Sequence, residues 1–171
     1  MSTSQIFASL QEEYNTATAD QGLGSLGEWP PAGNHECYVL GMTIDDNASF
    51  RQSSDGQEFP SIMVQFEYQL VDDPDRSTPL IWKGAPFNLI KDSGNLTHDG
   101  SKTRTRIEME RFKGHLKTLM GGDMADLPSA IDTVQSKFNG DSAVVAMIRC
   151  QYNQKGTRTY KTEYIQYLVG N

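Results

Sequence analysis

The chain has 171 residues, of which 37% are apolar and 22% charged, with a formal net charge of −7. That length suits one domain. No apolar run nears the roughly 18 residues of a membrane-spanning helix, and no basic region followed by an apolar stretch marks a secretion signal, so a soluble, cytoplasmic protein with no membrane partner is expected. The charge is split along the chain: residues 1–75 hold thirteen acids and one base, Arg51, whereas residues 76–171 hold fourteen bases and nine acids. A partner meets a face and not a total, so overall acidity does not exclude an anionic partner. The two cysteines, Cys37 and Cys150, form neither a disulfide framework nor a CxxC pair, and both fall in strand-like stretches where a free thiol is normally buried.

Residues 1–34 read as an N-terminal arm, with 35–171 as the folded domain. The arm starts with Ile6, Phe7, Leu10 and Tyr14 at helical spacing and ends in Trp29-Pro30-Pro31-Ala32-Gly33, where two prolines and a glycine stop any element. Trp29 is expected to anchor the arm on the domain, because aromatic burial is large. A first strand is expected over His35–Ile44, ended by Asp45-Asp46-Asn47. A loop or frayed hairpin through Ser53-Ser54-Asp55-Gly56 follows. The clearest strand is Ile62–Leu70: Ile62, Val64, Phe66, Tyr68 and Leu70 alternate with Met63, Gln65, Glu67 and Gln69, the period of a half-buried strand. It is expected to lie centrally in an antiparallel sheet. The third strand, 79–89, is interrupted by Gly84-Ala85-Pro86, which signals a bulge or an edge.

Residues 91–104 are polar and rich in Gly, Asn and Ser, a loop insertion. Thr105–Met120 is the best helix, with Met109, Phe112, Leu116 and Leu119 as its apolar stripe and Gly121-Gly122 as its stop. A shorter helix starts at Leu127-Pro128-Ser129 and runs to about Lys137, since proline suits a first turn. Ser142–Tyr152 and Thr159–Val169 form a closing hairpin. A three-residue bulged turn would set Tyr152 opposite Tyr160 and Arg149 opposite Glu163; a two-residue turn would shift both. The first register is preferred because it pairs charges on one face and aromatics on the other.

Three strands, a helix and a two-stranded hairpin is the element order of an oligonucleotide/oligosaccharide-binding (OB) fold. The expected fold is therefore mainly β: a five-stranded antiparallel OB-like barrel with a helix between strands 3 and 4. A β-sandwich usually needs about seven strands. The Pro31–Val39 entry into strand 1, the Ile62–Leu70 strand, the helix and a closing hairpin with a Lys155-Gly156 tip together resemble the small phage single-stranded-DNA-binding proteins, over roughly residues 5–169. The resemblance implies sequence-nonspecific binding of single-stranded DNA during phage replication or recombination, replication or recombination proteins as further partners, and a possible homo-oligomer. Many such proteins recruit partners through an acidic tail; Tyr167-Leu168-Val169-Gly170-Asn171 has no acid, so recruitment of that kind is not expected here.

Single-strand binding asks for cations that track phosphates and aromatic faces for bases. The candidates are Trp82, Lys83, Phe87, Arg104, Arg106, Arg149, Tyr152, Lys155, Arg158, Tyr160 and Lys161, with Tyr164 as a further stacking residue. Trp82 and Phe87 read rather as core than as platform, Tyr152 and Tyr160 read about evenly as either, and the helix cations read rather as a solvated face, because Glu108 and Glu110 interleave with them. No catalytic chemistry stands out. His35, His98 and His115 lack metal spacing, Asp72-Asp73-Pro74-Asp75 lacks the glycine and distal glutamate of a calcium loop, and there is no phosphate loop. No enzyme activity and no cofactor are expected. The alternative reading is a virion or assembly domain that contacts protein only.

Overall fold

A computed structural model describes residues 28–51, 56, 58–90, 104–122, 126–140 and 142–170. The helix expected near residues 6–14 and the loop 91–103 lie outside them. Six strands and two helices follow in the order β1 (Gly33–Arg51), β2 (Glu58–Leu70), β3 (Ile81–Lys83), β4 (Phe87–Ile90), α1 (Arg104–Met120), α2 (Leu127–Phe138), β5 (Val145–Lys155) and β6 (Arg158–Leu168). The strands form one antiparallel sheet in the order β3-β2-β1-β5-β6, with β4 also on β2.

β2 keeps the register its alternation dictates. Val64, Phe66, Tyr68 and Leu70 are buried, and Gln65, Glu67 and Gln69 alternate with them. β1 is longer than expected, because Asp45-Asp46-Asn47 forms a bulge and does not end the strand. Asp45 pairs with Met63 and Ala48 with Ser61, so Asp46 and Asn47 oppose Ile62 alone; the Asp45 carboxylate accepts from the Asn47 N–H at 3.0 Å. A second bulge at Leu40 switches which parity faces inward. Cys37 and Val39 are buried before it and Met42 after it, while Leu40 and Ile44 are exposed. A bulge changes twist and side-chain direction together, which explains why neither face of this strand is apolar along its length.

The expected third strand is split. β3 and β4 sit on the same edge of β2, offset by Gly84-Ala85-Pro86, and the Gly84 N–H donates to the Phe66 carbonyl at 2.9 Å. The helices run close to their expected bounds. Phe112, Leu116 and Leu119 of α1 are fully buried, and Gly121, at φ +76°, ends the helix with its N–H on the Lys117 carbonyl. Asp126 caps α2, accepting from the Ser129 N–H at 3.3 Å.

Two further expectations are corrected. The sheet is open and does not close into a five-stranded barrel: among the described residues no backbone pairing joins β6 to β3 or β4. α1 packs against both β4 and β6 and so spans the gap between the two edges. The closing hairpin has a two-residue turn, Gly156-Thr157, with Lys155 opposite Arg158. Gly156 has φ +60° and Thr157 is not at positive φ, the geometry of a tight turn with glycine first, whose twist matches the flanking strands. Tyr152 therefore lies opposite Lys161, Arg149 opposite Tyr164, and Cys150 opposite Glu163.

Candidate nucleic-acid interface

The corrected register sorts β5 and β6 into two unlike faces. Inward go Ala146, Ile148 and Cys150 of β5 with Glu163 and Ile165 of β6. Outward go Met147, Arg149, Gln151 and Asn153 of β5, paired in turn with Tyr167, Tyr164, Thr162 and Tyr160 of β6. A bulge between Met147 and Ile148 returns Tyr167 to the same side as Tyr160 and Tyr164. The three tyrosines are 40%, 37% and 55% exposed. From Asn153 to Met147 the row spans about 20 Å at roughly 3.3 Å per residue.

Glu163 is the only acid among the described residues of 142–170, and its side chain is fully buried. It accepts from the Ala85 N–H at 3.0 Å, and Arg111 Nη1 lies 3.5 Å from the same oxygen. Its carboxyl group thus takes a backbone donor of the segment that joins β3 to β4. Pro86, next in the chain, has no N–H to offer. A Cβ on Gly84 would fall on the Glu163 carboxyl group and lie 2.9 Å from Tyr68, so glycine is required by close approach. Burial pushes the Glu163 carboxyl group up from its ordinary range, with Arg111 acting against the shift. Arg111 also donates to the Pro86 carbonyl at 3.2 Å and stacks 3.8 Å over the Phe87 ring. His115, packed on Phe66 and Phe87, is held neutral by burial, its pKa lowered to about 3. Both cysteines are free and buried, and burial pushes each thiol up to about 12.

The candidate residues divide accordingly. Trp82 (2% exposed) and Phe87 (0%) belong to the core and offer no face to a base in this arrangement. Lys83 is exposed but sits opposite Glu67 on the outer face of β2 and β3. Arg106 is exposed on the first turn of α1, and Arg104 begins that helix. Arg149, Lys155, Arg158, Tyr160 and Lys161 are brought together on one hairpin. Tyr152 is part-buried at its base, where its hydroxyl donates to the Pro30 carbonyl. The sequence does not single out Tyr167, because a bulge decides its side, and a bulge at Gln166 leaves no composition signal. Lys117 of α1 borders a shallow groove with Gln166 and Tyr167, which joins one helix cation to the tyrosine row.

Among the described residues no group of three or more His, Cys, Asp or Glu side chains is placed to hold a metal ion, and no helix is long and apolar enough to cross a membrane. Compared with protein-family models, curated proteins and solved structures, the chain matches none.

Proposed function

We propose that the protein binds single-stranded DNA without sequence preference, through the outward face of the β5–β6 hairpin. The observation that carries this reading is the composition of that face. It holds three exposed tyrosines and Arg149, runs to the Lys155–Arg158 turn, and presents no carboxylate among the described residues, because Glu163 is turned inward. Aromatic faces accept any base, and clustered cations follow any phosphate backbone, so the pair of features favours a single strand without favouring a sequence. We read the open sheet as an OB-type barrel in which the missing β3–β6 pairing is replaced by side chains and α1. The neighbour order β3-β2-β1-β5-β6, with the main helix between the third and fourth strand positions, supports that reading. In such barrels the last hairpin is one of the loops that contact oligonucleotides.

The test is titration of a fluorescent oligo-dT about the length of a few OB sites, roughly 30 nucleotides, at low and at moderate salt, with duplex DNA as the control. The reading expects binding that weakens as salt is added, through release of counterions from neutralised phosphates, and weaker binding to duplex. Absence of binding at low salt would remove it.

A further inference from the structure

The segment just before β1 does something the strand pattern does not require. Residues 28–31 belong to no strand, yet Trp29 and Pro30 are buried. Trp29 lies between the two edges of the open sheet. Its ring centroid is 4.9 Å from that of Trp82 in β3 and 6.5 Å from that of Tyr152 in β5. Lys161 Nζ of β6 sits 6.0 Å from the Trp29 ring and 5.9 Å from the Tyr152 ring. Behind Trp82 stands Tyr68, at 4.6 Å between centroids. The Trp29 ring is tilted by 53° to Trp82 and meets Tyr152 edge-on at 74°, and aromatic walls with a cation at the rim are the two things a nucleotide of a single strand needs, one for the base and one for its phosphate.

Among the described residues, few bonds hold the segment there. Tyr152 donates to the Pro30 carbonyl, the His35 ring nitrogen lies 2.6 Å from the Pro31 carbonyl, and Glu28 pairs with Arg76 at the surface. The indole N–H groups of both Trp29 and Trp82 are buried and meet no acceptor among the described residues, so the contact between the two rings is made without a hydrogen bond from either indole to lock it. Segments with few ladder bonds are the ones that open locally. The Trp29 site also adjoins the outward face along β6: Tyr160 is exposed and Lys161, the next residue, reaches toward Trp29. A strand lying over Tyr164 and Tyr160 reaches the cleft by turning around the β6 edge.

We infer that the cleft lined by Trp82, Tyr152 and Lys161 is a second nucleobase subsite, and that residues 28–32 are a displaceable strap which fills it with Trp29 in the place of a base. This rests on the single-strand reading and adds to it a closed state and an open state. The strap competes with DNA, so molecules in the closed state bind only through the tyrosine row. Apparent affinity is scaled by the fraction of molecules whose strap is open.

The chain has two tryptophans, so Trp29→Phe leaves Trp82 as its only indole reporter. The full-length variant is titrated with oligo-dT while Trp82 emission is followed. In parallel, oligo-dT affinity is measured for wild type, Trp29→Ala and Tyr152→Phe. The last keeps the ring and removes only the bond to the strap, which covers the case in which Trp29→Ala fails to fold. The inference expects quenching of Trp82 and an affinity gain of about five- to tenfold when the strap is loosened. Wild-type binding with unchanged Trp82 emission overturns the subsite and leaves the tyrosine-row reading standing. Absence of oligo-dT binding by wild type and by both strap variants removes both.

Discussion

The two long hairpins of the sheet, β1–β2 and β5–β6, are built on opposite plans. In β1–β2 the inside is apolar and the surface is acidic: Glu36, Asp45, Asp46 and Glu58 are exposed and Glu67 half-buried, against one base, Arg51. In β5–β6 a carboxylate is inside and tyrosines are outside, with Arg149, Lys155, Arg158 and Lys161 on the same hairpin. The first plan follows from burying apolar surface and solvating charge. The second places Glu163 and Tyr164 each where the other would ordinarily go. Violations of that kind concentrate where a chain serves something besides stability. On the proposed reading the binding face is confined to one half of the sheet, and the acidic half would repel a polyanion from the rest.

The largest way to break this arrangement is from within. Arg111→Ala leaves the buried Glu163 carboxylate without its cation, and loss of one partner from a buried pair costs about 3–5 kcal/mol. A urea-unfolding midpoint moved by that much checks it; an unmoved midpoint would mean that Glu163 is neutral and satisfied by the Ala85 N–H alone.

Acid should loosen the same region through His115. Its folded pKa is depressed to about 3 from 6.5, so the folded protein binds fewer protons than the unfolded chain between those values. Stability is therefore complete above pH 6.5 and falls as pH drops below it, by about 2 kcal/mol at pH 5 at roughly 1.4 kcal/mol per pH unit. Glu163 has the opposite sign: its folded pKa is raised above 4.5, so it offsets part of that loss as pH falls through the raised value towards 4.5. Unfolding curves at pH 7 and pH 5, for wild type and His115→Phe, read the difference; the variant should have the flatter dependence.

The outside of β5–β6 is broken by replacing Tyr160 and Tyr164 together with alanine. Stacking is worth about 1–3 kcal/mol per base, so oligo-dT affinity should fall by at least about tenfold. Because both rings are exposed, thermal stability should move by no more than about 0.5 kcal/mol per site. Loss of affinity with loss of fold would point to a packing role instead.

The smallest effect sharpens the contrast. Glu36 lies opposite Met147, on the outward side next to the Arg149 row. Glu36→Lys extends the basic face by one site, and should steepen the dependence of log affinity on log salt by about 0.7, the increment for one more phosphate on a single strand.

Much of the fold was legible and much of the site was not, for one physical reason. β2 could be read because its apolar residues and its buried residues coincide, and α1 because its stripe and its glycine stop are local signals. The splitting of β3 from β4 was signalled by Gly84 and Pro86. What sequence could not supply were relations across strands. The bulges at Leu40 and at Met147/Ile148 change which parity faces inward. The two-residue turn sends Glu163 inside, where Arg111, fifty-two residues earlier, meets it. Arg149 and Glu163 look like partners by charge, and the register separates them. Trp82 and Phe87 carry the chemistry of stacking residues, but burial among Tyr68, Trp29, Phe112 and Arg111 decides their place.

The most direct test of the central claim is a residue-resolved NMR titration of the isotope-labelled protein with oligo-dT. The account predicts that the amide signals of Arg149, Tyr160, Tyr164 and Tyr167 move with saturation, while those of Gln65, Glu67 and Gln69 on the outer face of β2 stay in place. Perturbations centred on β1–β2, with β5–β6 unchanged, would contradict it.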